Sequence, residues 1–532
     1  MNETSVFIVG GGPVGLAMGL LLHRFSIPCV VVERSEGTTT HPKSRGCFVR
    51  SMELFRQWGV EEPIRERGLP PHADVWVCAK TFAGEELGRT TPEPNLGHSP
   101  SWKSMVSQDV VEEEFFRKIE NSATTTVLYG TEAFDLEEST DHVSIRTRNV
   151  ATGEEKRWRA TYLIAADGAA SQMRRDVGLS MVGPACLAVM SNDYWHGDMS
   201  HVSRARDIAG CRVFLDEPGV PSSTILNTNG RDRWLSLTQI GGPNDERREL
   251  PEEGGTIERI RKQTGIPGLP IKMISRSVWR MSRQVAANFR EGRVFLVGDA
   301  AHRFPPTGGY GLNSGVQDAH NLAWKLAFVL RGQADARLLD SYDTERRPVA
   351  QSNADFSMGN RIRIETMEKA LRSGDKDWIA FWMEDFDNHL HSIGQSLGFR
   401  YEDGALLPDG TASTPVQPRV YTPSDRPGGR FPHIWLDPAR LHSTLDWFDT
   451  ELTLVTGTAG QEWMEAGRSV AQRSRTPLSL RQLPRDGRDA GLHLGPRGAV
   501  LVRPDGHVAW RSPYLPADPE RHLQKAIQGL FA

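Results

Sequence analysis

The stretch Val6-Phe-Ile-Val-Gly10-Gly-Gly12-Pro13-Val14-Gly15 restricts the possible folds of this chain more than any other. Its apolar run, Val6 to Val9, reads as a strand buried on both faces, as strands of parallel sheets are. The run ends on a G-x-G-x-x-G spacing. From Pro13 onward Val14, Ala17, Met18, Leu21, Leu22 and Phe25 recur at helical intervals. A second apolar run, Cys29 to Val32, stops at Glu33. Strand, turn, helix and strand make the opening βαβ unit of a doubly wound sheet.

That unit has a chemical consequence. Gly10 permits the tight turn, Gly12 lets the backbone approach a pyrophosphate, and Gly15 packs helix on strand. The free N–H groups and dipole of the helix starting at Pro13 and Val14 favour negative charge. Glu33, roughly 20 residues beyond the turn and followed by Arg34, suits ribose hydroxyls. These features point to an adenine dinucleotide and leave FAD and NAD both open.

A second segment separates them. Val294 to Val297 reads as a buried strand that ends at Gly298-Asp299, and Pro305-Pro306-Thr-Gly308-Gly309-Tyr-Gly311-Leu312-Asn313 follows. The Pro-Pro pair removes two donors and stiffens the loop. The glycines let bare backbone reach a flat ring without side-chain clash. A helix expected to begin near Asn313 aims its positive end at that ring, an interaction of about 0.3–2 kcal/mol with the negative charge of a reduced flavin. This combination selects FAD.

With 532 residues, two or three domains are expected. The chain is 38% hydrophobic and 24% charged with a net charge of −4, which offers no footprint for nucleic acid. Five cysteines (Cys29, Cys47, Cys78, Cys186, Cys211) lack any ligand spacing. No metal is expected, and a reduced cytoplasmic compartment fits. No apolar run reaches membrane-spanning length, so no membrane contact is expected.

The expected layout begins with a first part of an FAD-binding domain over 1–183, with 75–100 free to join the next unit. A β-rich substrate domain follows over 184–280, and long helices return to the FAD-binding domain over 281–400. Residues 401–532 form the last domain.

The chain resembles the class A flavoprotein monooxygenases, the aromatic hydroxylases related to 4-hydroxybenzoate and phenol hydroxylases. Over roughly 5–350 the resemblance rests on three ordered motifs: Gly10/Gly12/Gly15, Asp167-Gly168 and Gly298-Asp299. It implies an α/β fold with a doubly wound, GR2-like FAD domain and an inserted β-sheet substrate domain. The tail from about 408 is similar to the thioredoxin-like domain appended to many such hydroxylases. No cysteine follows Cys211, so that tail has no disulfide chemistry, and a homodimer is allowed.

By the same resemblance Asp299 meets the ribityl chain, and Arg45 and Gln108 lie by the flavin. Asp167, Gly168 and Arg174 are linked to both FAD and the pyridine nucleotide. The implied reaction uses NADPH or NADH and O2 and hydroxylates a phenolic or polycyclic aromatic substrate through a flavin C4a-hydroperoxide. Pro306 and Gly308 stand as catalytic backbone positions, and Tyr194 and His196 as proton-transfer candidates.

Phe214, Asn227, Trp234 and Gln239 are the substrate-contact candidates from the inserted sheet. Alternatives on this scaffold are Baeyer–Villiger insertion or oxidative decarboxylation of a natural product. From other classes come an O2-independent flavin reductase and a flavin-bearing interaction protein without turnover.

Overall fold

The computed structural model describes residues 2–215, 222–246, 249–474, 476–484 and 487–531. Its central sheet has eight strands. Val294–Leu296, Glu155–Ala165, Asn2–Val9, Cys29–Val32 and Thr125–Leu128 run parallel and side by side. Val9 stands opposite both Val32 and Ala165, and Ala165 stands opposite Leu296. This register brings Gly10, Glu33, Asp167 and Gly298 to one carboxyl edge, although up to 288 positions separate them in sequence. Such an edge is where open α/β sheets bind ligands.

The Pro13–Arg24 helix crosses one face of this sheet and packs against the Tyr310–Leu330 helix. Val14 sits between them: a β-carbon placed on Gly298 or Gly315 would lie 3.0 or 2.5 Å from its side chain. Ser341–Ser373 and Lys376–Leu390 form a long antiparallel helical pair on the outside.

A seven-stranded sheet faces the carboxyl edge. Its order is Lys272–Met281, Ala188–His196, Arg233–Gly241, Ser223–Asn227, Gly210–Val213, Trp76–Ala79, Glu86–Arg89. The last two strands come from the 75–100 region. One face of this sheet buries Trp195, Trp234, Cys211 and Ile225 with Ile260 of the Glu253–Thr264 helix. The other face, carrying Tyr194, Leu226 and Leu235, looks toward the first sheet.

The C-terminal part holds a four-stranded sheet ordered Leu478–Gln482, Leu452–Thr456, Ala499–Val502, Val508–Ser512, with helices Gln461–Arg473 and Pro519–Leu530. One parallel pair and an antiparallel hairpin, with those two helices, are the thioredoxin-like arrangement. The 404–432 segment carries no helix or strand beyond isolated bridges. It is nevertheless pinned: Tyr401 N–H donates to Gly428 O and Gly428 N–H to Val508 O.

Candidate active site

The carboxyl edge is built first from main chain. Gly10 has φ +107°, and a side chain there would strike the Ala166 carbonyl. A β-carbon on Gly15 would run into the Gly10 carbonyl, which fixes how closely helix and strand approach. Gly12 caps the Pro13–Arg24 helix without any side-chain bond, and nothing lies within 4 Å of its missing β-carbon. The first-turn N–H groups therefore open onto free space, as a pyrophosphate requires. Glu33 accepts from Gly11 N–H and Ser35 N–H, each at 2.9 Å. Each of its oxygens keeps a lone pair for a ribose hydroxyl. Arg34 is exposed beside it.

Asp167 accepts from Met173 N–H at 3.1 Å through Oδ2, while its buried Oδ1 has no partner. Arg174 donates to Ala300 O at 3.0 Å, joining this loop to the next. Asp299 projects into the cleft. Surrounding protein pushes its carboxyl up, against His302, Arg303 and Lys43 pulling down. The side chain itself is open to the cleft. The absent β-carbon of Gly311 faces its Oδ1 at 3.9 Å, so carboxylate and bare backbone border one cradle.

The Pro306–Gly308 turn hands over to the Tyr310–Leu330 helix through Gly309 at φ +70°. The helix thus begins three residues before the expected Asn313, because a left-handed glycine caps it. Asn313 has another task. Its Oδ1 accepts from Phe48 N–H (2.8 Å) and Ser51 Oγ (2.7 Å), and its Nδ2 donates to Gly46 O (3.0 Å) and Gly309 O (2.8 Å). The side-chain amide is fully spent, so only main chain at Leu312 and Asn313 remains for a ligand. Thr307 Oγ1 donates to Ser357 O at 2.7 Å and ties the turn to the long helical pair.

Under the turn lies a buried network that sequence reasoning misses. Asp318 accepts from His302 Nε2 at 2.7 Å, from Arg346 Nε at 2.8 Å and from Gly298 N–H at 3.2 Å. Burial alone would raise the Asp318 carboxyl, but His302 and Arg346 hold it below its usual value. The apolar rhythm of its helix hides this carboxylate, although the same side of the helix also carries Ser314, Asn321 and Lys325.

Arg45 extends to the carbonyls of Ala209 and Asn227, with its guanidinium 5.7 Å from the Trp76 ring. Burial lowers its pKa to about 10 despite Asp74. Gln108 donates to Glu112 Oε1 at 2.7 Å, and Glu112 Oε2 accepts from Thr39 N–H at 2.7 Å. Both residues thus brace the 39–46 loop at the cleft wall.

The inserted sheet divides the remaining candidates. Tyr194 opposes Leu235 on the cleft face, and Gln239 lies exposed two residues beyond Leu237 on that same face. Phe214 packs with Cys78, Met367 and Phe386 below the helical pair.

Trp234 is a correction. Strand alternation turns it to the opposite face, 5.2 Å from the Phe82 ring, with its indole donating to Gly197 O. An even and an odd position of one strand, Trp234 and Gln239, cannot share a face. His196 is also displaced: it sits exposed at a strand end, 2.9 Å from Asp232. Asn227 braces a turn, donating to Ala205 O and Ile208 O and accepting from Gly230 N–H. Both of its amide hydrogens are used within the protein, and the side chain is buried. Among the described residues no cluster of metal-ligating side chains occurs, and no helix is long and apolar enough to cross a membrane.

Comparison with known proteins agrees with this geometry. A family described as "FAD binding domain" matches residues 3–357, and one described as "Aromatic-ring hydroxylase, C-terminal" matches 424–532. The tetracenomycin A2 monooxygenase-dioxygenase of Streptomyces glaucescens is 34% identical over 572 aligned positions, covering 100% of this chain and 97% of that protein. The phenol 2-monooxygenase of Pseudomonas sp. (strain EST1001) is 28% identical, covering 99% of this chain and 93% of its own length. The crystal structure of the flavin-dependent monooxygenase PieE, in complex with FAD and substrate, superposes with a TM-score of 0.92 at 28% identity, covering 99% of each chain.

Proposed function

Because the chain belongs to the FAD-binding aromatic-ring hydroxylase family, we propose that it places one oxygen atom of O2 on a phenolic or polycyclic aromatic substrate, with NADPH or NADH as electron donor. One observation carries the reading. Gly12 with its open helix end, Glu33, Asp167, Asp299 and the Pro306–Asn313 backbone stand along a single sheet edge, opposite the Tyr194 face of a second sheet.

Residues at this edge fit FAD part by part. The N–H groups of Gly12, Val14 and Gly15 would hold the pyrophosphate, Glu33 would take the ribose, and Asp299 would accept from ribityl hydroxyls. Bound there, FAD supplies hydride acceptance from the nicotinamide and activation of O2. The protein supplies position and dryness. The first turn of the Tyr310–Leu330 helix, whose N–H groups lack intrahelical partners, would stabilise negative charge on a flavin held there. The Pro306–Gly308 carbonyls are held still by proline geometry and by Thr307 on Ser357. The seven-stranded sheet on the other side of the cleft would help keep the site dry. Five unpaired thiols, four of them buried, suit a reducing cytoplasm.

The test is a panel of phenols and hydroxylated polycycles offered to the FAD-loaded protein with NADPH or NADH. Stimulated nicotinamide oxidation, matched O2 uptake and a product heavier by one oxygen are expected. Product masses showing loss of carbon dioxide, or ring expansion to a lactone, would instead assign the tailoring chemistry that the same scaffold allows. Turnover that continues without O2 would overturn the reading.

A further inference from the structure

The 41–46 loop reaches from the edge strand Lys272–Met281 of the substrate sheet to Ala209 and Asn227 near its middle. At one end His41 Nδ1 lies 2.6 Å from Ser275 Oγ on the outermost strand. Further along, Ser44 O accepts from Gln108 N–H, and Arg45 reaches Ala209 and Asn227. Finally Gly46 O accepts from Asn313 at the start of the Tyr310–Leu330 helix. His41 is thus suspended between the flavin cradle and the sheet. Its ring meets Tyr194 edge-on at 6.2 Å, and Tyr194 stands directly opposite Ser275 across the strand pair. The second imidazole nitrogen, Nε2, is buried and has no partner.

We propose that His41, not His196, is the proton acceptor for the substrate's phenolic hydroxyl, with Ser275 as its positioning residue. The assignment rests on the hydroxylase reading above and names a residue that reading leaves open. With Nδ1–H donated to Ser275 Oγ, the lone pair is fixed on Nε2, which is the tautomer a base requires. In the step, the phenolic O–H bond breaks and an Nε2–H bond forms. The electron pair stays on the phenolic oxygen and enriches the ring carbons beside it, and no electron leaves the substrate.

The charged surroundings suit this role. Burial pushes the His41 pKa down, Lys43 on the same loop pushes the same way, and Asp193 opposes. Asp193 points away to the other face, bound by Arg259 (2.9 Å) and Arg276 (3.2 Å). The imidazole is therefore neutral at neutral pH, the form that can accept a proton.

The test uses alizarin, a dihydroxyanthraquinone whose phenol and phenolate differ in colour, bound to oxidised FAD-loaded protein without nicotinamide. Wild type should turn the bound dye to the phenolate colour at a pH about one unit or more below that in His41→Gln. Glutamine preserves a side-chain hydrogen bond to Ser275 but accepts no proton in this range. With a turned-over phenol, His41→Gln should lose about 10²-fold in kcat, together with the acid limb of its pH profile. Ser275→Ala should show a smaller loss with the limb retained.

Flavin content at wild-type level shows that each variant is folded. If His41→Gln at full flavin content titrates the dye as wild type does and keeps the acid limb, the assignment is overturned. Failure of wild type to bind the dye or to respond to any phenol instead overturns the hydroxylase reading, and the assignment goes with it.

Discussion

Asp299 combines two properties that seldom occur together: it follows a fully buried strand, yet its carboxylate opens onto the cleft. A carboxylate that opens onto a cavity, 3.9 Å from where a Gly311 side chain would start, keeps acceptor positions free for hydrogen-bond donors. Ribityl hydroxyls are such donors. Bonds from neutral donors to a charged acceptor contribute about 1.5–3 kcal/mol, so Asp299→Ala should loosen FAD by about 10- to 150-fold. The ratio of flavin to protein absorbance after purification and dialysis reads this directly. A variant as yellow as wild type after the same dialysis would remove Asp299 from the cradle.

At the scale of elements, the Tyr310–Leu330 helix is positioned by one side chain. Asn313 joins the helix start to residues 46–51 and to Gly309 through four hydrogen bonds at full burial. Replacing it with alanine strands Phe48 N–H and Gly46 O without partners, at about 1–3 kcal/mol for each buried group. Asn313→Ala should therefore lower the melting temperature and weaken flavin retention together. Loss of stability with flavin affinity untouched would show that the helix end does not touch the ring.

The same helix separates what the sequence discloses from what it hides. Its apolar rhythm and the Pro-Pro-Thr-Gly-Gly approach are local, and both are legible in the order of residues alone. Spacing puts the helix start near Asn313 rather than Tyr310 because Gly309 acts through a positive φ that spacing does not reveal. The βαβ fingerprint is equally local, and Gly10, Gly15 and Glu33 fall where the pattern puts them. Side-chain facing in the inserted sheet is not local. Trp234 and Gln239 differ by an odd number of positions, so only one can face the cleft, and nothing in the strand itself says which. His41 is illegible for another reason: its partners Ser275 and Tyr194 lie 234 and 153 positions away.

Across the whole molecule, the C-terminal part is docked by a shared apolar core, in which the Phe531 ring lies 5.6 Å from that of Phe328, and by buried charge beside it. Arg503, in the hairpin 499–512, donates to both oxygens of Glu345 at 2.7 and 2.8 Å and also pairs with Asp505. Lys325 of the Tyr310–Leu330 helix shares Glu345 at 2.9 Å. Arg50 donates to Asp505 O at 2.7 Å and to Glu53 at 2.9 Å, and Glu53 also holds Arg430. The chain of contacts runs from the flavin helix through the docking hairpin and back to the Val49–Gln57 helix.

Protons couple to this junction with one sign. Burial drives His320 to a pKa of about 3 and His507 to about 4, below the about 6.5 of an unfolded histidine. Burial alone would raise Glu345, but Arg503 and Lys325 pull it to about 2, below an unfolded value of about 4.3. In all three cases the unfolded chain binds the extra proton. The histidine contribution is therefore complete above about pH 6.5 and is lost as pH falls toward 3–4, with the Glu345 contribution following below about pH 4.3. Acid should release flavin and melt both parts in one transition, because the groups that titrate are the ones that join them. Far-UV circular dichroism and flavin fluorescence, followed from pH 8 downward, should coincide. His507→Gln should flatten the stability slope by about one proton between pH 6.5 and 4. Two separated transitions, or stability unchanged from pH 7 to 4, would mean that the buried ions do not bind the two parts into one cooperative unit.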